Sequence, residues 1–392
     1  MPATKIAQSL LLPELELLDA KQVNAGVVQL YARKTSAFEV CPKCATPSRA
    51  VYDHRWTTVR DEPIRTRAVL LHIHKRRFFC RGCRKPFTEP VGGIKKGGRT
   101  TARYRRALLA ACERFSDLKT VRRYMRCSAG YLYKTFYEEL ERRLRMRQYP
   151  WPEVVGIDEH FFRRKRGLRG FATVFVDMKG QRVFEVAEGK RGAELEAQVG
   201  HIAGRQHVKW VVLDLADSYK SFCRRFFPNA RLVADKFHVL RLLNGAINRE
   251  RKAITGDRRS LPVRRWLLMS GKKLRRENKT RLLTWLEQHP TLRQLYQAKE
   301  ALHSLYRTRG RKRADRSLRK LCDALALSEV PELQTLRGTL LRWRDEVLNY
   351  WANRLTNGRT EGFNNKAKLV KRRAFGFKSF RNYRLRLLTV CS

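Results

Sequence analysis

Two Cys-x-x-Cys motifs constrain the fold of this 392-residue chain more than any other feature. Cys41-Pro-Lys-Cys44 and Cys80-Arg-Gly-Cys83 each place two thiols across a tight turn, where both sulfurs face one ion. Four cysteines make the closed tetrahedral site of structural Zn²⁺, and nine cysteines in total, without an export signal, disfavour disulfides. The sequence therefore predicts a zinc-ribbon-like module with Cys41, Cys44, Cys80 and Cys83 as zinc ligands.

The net charge of the chain indicates the kind of molecule that it binds. It carries 86 Lys and Arg against 36 Asp and Glu, a formal net charge of +50, and 43% of its residues are hydrophobic. Such an excess of positive charge favours binding to nucleic acid, while the apolar content excludes a disordered basic tail. No apolar run approaches the roughly 20 residues of a membrane helix, and the N-terminus has no signal-peptide pattern. We expect a soluble cytoplasmic protein with no membrane partner.

The N-terminal part divides into two predicted domains. Residues 1–95 have the pattern of short strands and turns, including an alternating stretch over 68–79, and form the zinc-binding domain. Residues 96–150 turn helical, with apolar residues at three and four spacing and a turn at Cys127-Ser-Ala-Gly130. Two helices around such a turn predict a helix-turn-helix DNA-binding domain, with a plain helical hairpin as the alternative.

Three further segments follow. Residues 151–240 are closer to neutral and predict the order strand, strand, strand, helix, strand, helix, strand, which is a mixed α/β core. Residues 241–355 predict a helical insertion, because Leu, Arg, Lys and Trp recur at helical spacing. Residues 356–392 regain glycines and asparagines and then run basic and apolar together. The fold class is thus a multidomain α+β and α/β protein.

Three carboxylates stand at the ends of predicted elements. Asp158 and Asp214 each close an apolar strand run, and Glu361 lies in a helix-compatible stretch seven residues before Lys368. Carboxylates at the ends of adjacent strands converge on one edge of a sheet, where they suit a divalent ion. Solvated strand-terminal acids and a helix N-terminal charge are the alternative interpretation of the same residues.

Several motifs occur together in a fixed order, and they are these: Cys41-Pro-Lys-Cys44, Arg76-Arg-Phe-Phe-Cys80, Gly156-Ile-Asp-Glu159, Asp214, Asp235-Lys-Phe-His238, Arg359-Thr-Glu-Gly-Phe-Asn-Asn-Lys366, Lys371-Arg-Arg-Ala-Phe-Gly-Phe377 and Phe380-Arg-Asn-Tyr-Arg-Leu-Arg-Leu-Leu388. In these motifs and their order, the chain resembles the DDE transposases of bacterial insertion sequences, specifically the ISL3 group. The resemblance extends over nearly the whole chain.

The resemblance implies a ribonuclease H-like catalytic core whose Asp158, Asp214 and Glu361 are catalytic and bind two Mg²⁺ ions, with Mn²⁺ able to substitute. The implied activity is metal-dependent cleavage and transfer of DNA strands. The helical block corresponds to an insertion domain, and residues 356–392 return to the core with the helix that carries the glutamate. By analogy with the family, we expect a homo-oligomer on DNA in the bacterial cytoplasm, associated with the nucleoid.

Two residues near these acids stay open at this point. Asp217 follows Asp214 by three residues and is the alternative second acid, although Asp214 ends the apolar strand. His238 has either a contact to metal or DNA, or a packing or capping role. Glu159 points to the opposite side of an extended strand from Asp158, so we do not expect it to bind the metals.

The expected DNA partner is double-stranded, at the terminal inverted repeats and at the target. Tyr131, Tyr133 and Lys134 lie on the second predicted helix, where they would face a major groove. Lys368 is placed to touch a phosphate near the metals, and the basic run Lys371, Arg372 and Arg373 is expected to face the DNA backbone.

Two other functions fit parts of the pattern. A sequence-specific DNA-binding regulator derived from a transposase would use the zinc module and the helix-turn-helix without catalysis. A metal-dependent nuclease or junction resolvase would share the fold and the metals without strand joining. The intact acids favour an enzyme, and the two recognition modules ahead of the core favour the transposase.

Overall fold

The computed structural model describes residues 11–115, 117–147, 149–165, 168–256 and 262–391. Two compact units emerge from it. The first comprises the chain up to Arg143 together with Arg372–Gly376, and the second comprises Leu144–Lys371 with Phe377–Ser392. Among the described residues, no helix has the length and apolar character needed to span a bilayer.

The first unit is built on a twisted sheet. Its strands are β1 (Leu15–Asn24), β2 (Val27–Lys34), β3 (Glu39–Val40), β4 (Pro47–Ser48), β5 (Val51–Ile64), β6 (Arg67–Cys80) and β7 (Lys85–Thr88). The sheet runs β1-β2-β6-β5, and β7 pairs with β6. β2 and β6 are parallel and the other pairs are antiparallel, while β3 and β4 form a separate small hairpin.

The strands β5 and β6 are longer than the short strands expected from the sequence, since each has 14 residues. The alternation in β6 explains this length, because Val69, Leu71 and Ile73 are buried on one face and every second residue lies on the other. Arg65 and Thr66 both adopt positive φ, 47° and 69°, and form the tight turn between the two strands.

Three helices follow, where the sequence predicted two: α1 (Ala102–Arg114), α2 (Leu118–Tyr124) and α3 (Ala129–Arg145). The additional break arises because the Asp117 side chain accepts a hydrogen bond from Thr120 N and starts a new helix. The second turn also lies earlier than predicted. Ser128 Oγ accepts from Tyr131 N as the cap of α3, so Gly130 belongs to that helix and not to the turn.

The second unit contains a five-stranded mixed sheet. Its first elements are β8 (Val154–Lys165), β9 (Leu168–Asp177), β10 (Arg182–Glu188), α4 (Gly192–Val199), β11 (Trp210–Leu213), α5 (Asp217–Phe226) and β12 (Arg231–Ala234). This order confirms the predicted succession of strands and helices. The sheet runs β10-β9-β8-β11-β12, with the first three strands antiparallel and β11 and β12 parallel to β8.

Helices cover both faces of this sheet. The helical block comprises α6 (Lys236–Leu240), α7 (Asn244–Thr255), α8 (Pro262–Leu268), α9 (Arg276–Glu287), α10 (Pro290–Leu305), α11 (Arg311–Ala326), α12 (Pro331–Arg342) and α13 (Arg344–Asn353), followed by α14 (Gly358–Arg373) and α15 (Phe380–Val390). One face of the sheet shares a core with α4, α5 and the helical block. The other face packs against Phe363 and Ala367 of α14 and Tyr383 and Leu387 of α15.

Candidate catalytic site and zinc centre

The four predicted zinc ligands lie together in the first unit. Their sulfurs are all within 4.8 Å of one another, with Cys41 to Cys83 at 3.9 Å and Cys44 to Cys80 at 3.4 Å. A tetrahedron of sulfurs about 2.3 Å from Zn²⁺ has edges of roughly 3.8 Å, which matches these separations. The arrangement fits zinc and confirms the predicted four-cysteine cluster.

Local backbone geometry forms the two turns that carry these thiols. Ala45 and Arg84, each directly after the second cysteine of a motif, have positive φ of 57° and 52°. Gly82 lies where the motifs approach, since a Cβ there would be 3.0 Å from Thr46 Oγ1 and 3.5 Å from Cys44 Sγ. The hydrogen bond between Cys44 and Thr46 lowers the pKa of the Cys44 thiol to about 6.

A divalent cation would also offset the repulsion among the four cysteine sulfurs of this cluster. The neighbouring Cys44 sulfur is the largest cause that raises the pKa of the Cys83 thiol to about 12. Four thiolates at this spacing repel one another, and Zn²⁺ stabilises them together.

Three aspartates stand side by side at one edge of the second sheet. Val212 pairs with Gly156 and Leu213 pairs with Ala234 in parallel register. Continued past the strand ends, these registers place Asp214 beside Asp158 on one side and beside Asp235 on the other. Asp214 and Asp235 follow the ends of their strands, but Asp158 does not end its strand as the sequence predicted, because β8 continues to Lys165 in its pairing with β9. The parallel register still sets Asp158 beside Asp214, and it adds Asp235.

Asp214 has a carboxylate oxygen whose surroundings suit a metal ligand. Its Oδ1 atom is buried and has no hydrogen-bond partner among the described residues. Burial, and to a smaller extent the charges of Asp158 and Glu159, raise the pKa of Asp214 to about 6. Burial likewise raises the pKa of Asp158. Asp217, the alternative acid, is exposed at the first residue of α5.

Glu361 lies in the first turn of α14, and two asparagines of this segment hold it against β8. Asn364 Nδ2 donates to Asp158 Oδ2 at 2.8 Å, and Asn357 Nδ2 donates to the carbonyl oxygen of Ile157 at 3.1 Å. Positions 357, 361 and 364 have the spacing of one helical face, so Glu361 lies between Asn357 and Asn364 on the face that carries their contacts to β8. Its side chain is exposed.

A second set of contacts fixes where α14 begins. Asp235 Oδ1 accepts from Asn357 N at 2.8 Å, and Asp235 Oδ2 contacts His238 Nδ1 at 2.9 Å. A Cβ on Gly156 would lie 2.5 Å from Thr360 Oγ1, so glycine permits the close approach of this turn to β8. The Asp235 hydrogen bond raises the pKa of His238. His238 therefore contacts the carboxylate of Asp235, which also holds the start of α14. The sequence had left the role of His238 open.

Glu159 points away from Asp158, as expected. Its carboxylate accepts a hydrogen bond from the Tyr219 hydroxyl at 3.2 Å on the opposite face of the sheet. Among the described residues, only the four cysteines form a group of three or more His, Cys, Asp or Glu with ligand atoms all within 4.8 Å. Asp158, Asp214 and Glu361 therefore do not form a compact single-ion cluster.

The predicted DNA-contacting residues fall into two sets. Tyr133, Lys134, Lys368, Arg372 and Arg373 are exposed. Two others contact the protein itself. The Tyr131 hydroxyl hydrogen-bonds Thr100 Oγ1 at 2.9 Å and its ring packs near Tyr104, while Lys371 Nζ donates to the carbonyl oxygens of Phe161 and Phe162.

The sequence reasoning passed over Asp235, Asn357 and Asn364 as residues of this site. A signal for the asparagines was present, because positions 357, 361 and 364 follow the spacing of one helical face around Glu361. For Asp235 the signal was its place directly after an apolar strand run, like Asp214.

Comparisons with known proteins identify the family. Residues 155–387 match a family model described as a transposase, of the ISL3 group of DDE transposases, and residues 37–83 match the zinc-finger of transposases IS204, IS1001, IS1096 and IS1165. The transposase for insertion sequence element IS1001 of Bordetella parapertussis is 26% identical over 90% of this chain and 88% of its own length. The transposase for IS1557 of Mycobacterium tuberculosis is 24% identical over 57% of each chain. The transposase model spans more than half of the chain, which therefore belongs to the ISL3 group of DDE transposases.

Proposed function

We propose that this transposase cleaves and joins DNA strands at the ends of an insertion element, with Asp158, Asp214 and Glu361 as its catalytic carboxylates. The main support is the parallel register of β8 and β11, which sets Asp158 and Asp214 next to each other on neighbouring strands. The contact from Asn364 to Asp158 brings the helix of Glu361 to the same edge.

The sheet supports a ribonuclease H-like core. Three antiparallel strands are followed by two strands parallel to the first, in the order β10-β9-β8-β11-β12, with helices on both faces. The helical block between β12 and α14 then corresponds to an insertion into this core.

The oxygen ligands fit two Mg²⁺ ions, for which Mn²⁺ can substitute. Asp214 offers a buried oxygen without a hydrogen-bond partner, and burial raises the pKa values of Asp158 and Asp214, which a bound cation would offset. When bound, the metals would activate water or a 3′-hydroxyl and neutralise charge at the phosphate. The protein's own part is to hold the three carboxylates in register and to place Lys368 two helical turns from Glu361.

DNA recognition is proposed for the first unit and for α14. The pair α2 and α3, joined by a four-residue turn, would act as the helix-turn-helix, with Tyr133 and Lys134 exposed on α3. Lys368, Arg372 and Arg373 are exposed on α14 for contacts to the DNA backbone. Joining two element ends to a target calls for at least two copies of the chain on DNA.

A strand-cleavage and strand-transfer assay tests this function. It uses duplex DNA with the element's terminal repeats and Mg²⁺, and compares wild type with Asp158→Asn, Asp214→Asn and Glu361→Gln. Each substitution should abolish cleavage while DNA binding persists. Asp217→Asn is the matched control that should retain cleavage, because Asp217 is exposed at the first residue of α5. A wild type that binds the ends but never cuts with Mg²⁺ or Mn²⁺ would instead indicate a DNA-binding regulator.

A further inference from the structure

One face of the first unit's sheet carries five rings, two exposed and three half-buried, that no catalytic or zinc role uses. They lie on three adjacent strands: Tyr31 on β2, His72 and His74 on β6, and His54 and Trp56 on β5. We call this set the ring face. Trp56 is 54% exposed, although a tryptophan gains much from burial.

The rings of this face stand against one another across the strands. Tyr31 stacks on His72 with centroids 4.7 Å apart and an interplanar angle of 13°, and His54 stacks on His74 at 4.9 Å and 2°. Trp56 contacts both stacks, at 5.8 Å from Tyr31 and 4.9 Å from His74. The five rings therefore form one contiguous cluster, whose most exposed large ring is Trp56.

Strand register determines which residues share this face. Thr57, Val59, Leu71 and Ile73 point to the hydrophobic core or its edge, so the alternate positions of β5 and β6 point away from it. The residues of this face that pair across the three strands are Gln29, Tyr31, Arg33, Leu70, His72, His74, Arg76, His54, Trp56, Thr58 and Arg60. Glu62 follows them on β5, and Arg76 forms an ion pair with Glu89.

Charge at the ring face suits a polyanion. Lys21 Nζ lies 5.3 Å from the centre of the Tyr31 ring, and Arg33 pairs with His74 across the strands. The flanking acids, Glu16 and Asp19, lie on the edge strand β1 and form ion pairs with Arg33 and Lys21. The chain as a whole has a net charge of +50.

We propose that the ring face binds unpaired DNA by stacking its bases on Trp56 and the neighbouring rings. Exposed aromatic side chains on a sheet, next to cations, are how proteins hold single strands without reading their sequence. A duplex keeps its bases stacked inside and offers no ring surface to such a platform. This inference goes beyond the cleavage chemistry, because it requires neither Mg²⁺ nor the three carboxylates.

The test measures binding of the full-length protein to a labelled oligothymidine of about 15 nucleotides, in buffer without added Mg²⁺. Trp56→Ala should weaken this binding by about tenfold, and Trp56→Phe should weaken it less because a ring remains. Affinity for a duplex of the same length should change less than about twofold in both variants, since phosphate contacts dominate there.

Tyr52→Ala is the matched control. Tyr52 is also exposed and lies on β5, but it stacks with Phe79 and under Arg77, away from the ring face. This variant should bind oligothymidine like wild type. Zinc content, measured for every variant, shows that the unit is folded.

Two results would overturn the proposal. The first is a zinc-loaded Trp56→Ala that binds oligothymidine as tightly as wild type, or loses duplex binding equally. The second is a change in molecular mass by light scattering with single-strand affinity unchanged, which would make the ring face an interface between copies of the chain. Neither result bears on Asp158, Asp214 and Glu361.

Discussion

At the scale of single residues, the ionised Asp214 carboxylate is expected to destabilise the folded protein when no cation is bound. Its carboxylate is largely removed from water at the end of β11, and Oδ1 has no hydrogen-bond partner among the described residues. An ionised group in this position is stabilised by a bound cation and destabilises the fold without one. Stability measurements therefore test the proposed metal site independently of DNA cleavage.

We expect Asp214→Asn to raise the melting temperature of the second unit at pH 8 in buffer without Mg²⁺. The folded-state pKa of about 6 lies above the ordinary 3.8, so ionisation disfavours the folded state and stability falls as pH rises through this interval. Partial solvent access limits the effect to about 2–4 °C, the shift that roughly 1 kcal/mol gives in a domain of this size. Calorimetry across pH checks it.

The difference between the two proteins should vanish below about pH 3, where Asp214 is protonated in both the folded and the unfolded state. Mg²⁺ should stabilise wild type more than the variant. Asp217→Asn removes an exposed acid from the same segment and should leave both behaviours intact. An Asp214→Asn protein that melts below wild type at pH 8 would contradict the electrostatic argument.

The start of α14 is the element on which the geometry of the site depends. Three hydrogen bonds tie it to β8 and β12: Asn357 N to Asp235, Asn357 Nδ2 to Ile157, and Asn364 Nδ2 to Asp158. Glu361 makes its own helical bond to the Asn357 carbonyl at 3.0 Å. The contacts of Asn357 and Asn364 to β8 therefore determine where Glu361 lies.

Asn357→Ala should reduce DNA cleavage by about 10–100-fold while leaving DNA binding unchanged, because groups that orient metal ligands have effects of this size. The single-turnover cleavage rate at saturating Mg²⁺ is the measurement. Asn365→Ala is the control, since Asn365 is exposed on the same helix. Equal loss in both variants would show a general effect on the helix and would count against a positioning role.

The zinc centre belongs to the hairpins β3–β4 and β6–β7. Cys44→Ser should lower bound zinc well below about one ion per chain and lower the melting temperature of the first unit, because zinc binding contributes directly to folding. Zinc analysis with differential calorimetry measures both. Cys127→Ser, in the same unit but outside the cluster, should keep its zinc; if it does not, the ligand assignment is wrong.

The sequence predicted elements well where a local pattern determines them. The succession β8 to β12 followed from apolar, β-branched runs, and the four cysteines from their spacing. The turn before α3 was misplaced because Ser128 caps the helix, which moves its start ahead of Gly130. Asp235 was not assigned to the edge because its alignment with Asp214 depends on strand pairing, which no local pattern encodes.

At the scale of the whole molecule, the net charge of +50 predicts strongly salt-dependent DNA binding. Each neutralised phosphate contributes about 0.9 to the slope of log affinity against log salt, so six to ten contacts weaken binding by about 10³–10⁵-fold between 50 and 200 mM salt. Fluorescence anisotropy with duplex DNA over this range measures the slope. A slope near zero would mean that the positive charge does not serve DNA binding.

The contact between Asn364 and Asp158 joins residues 206 positions apart in the chain. At 5–20 residues per second, a ribosome needs roughly 10–40 s to make the intervening segment. The zinc-bearing residues up to Arg143 are therefore available to fold while the proposed catalytic edge still lacks Glu361. A translation product that stops within the helical block would occupy DNA without cutting it, and would act as a competitive inhibitor of the full-length transposase.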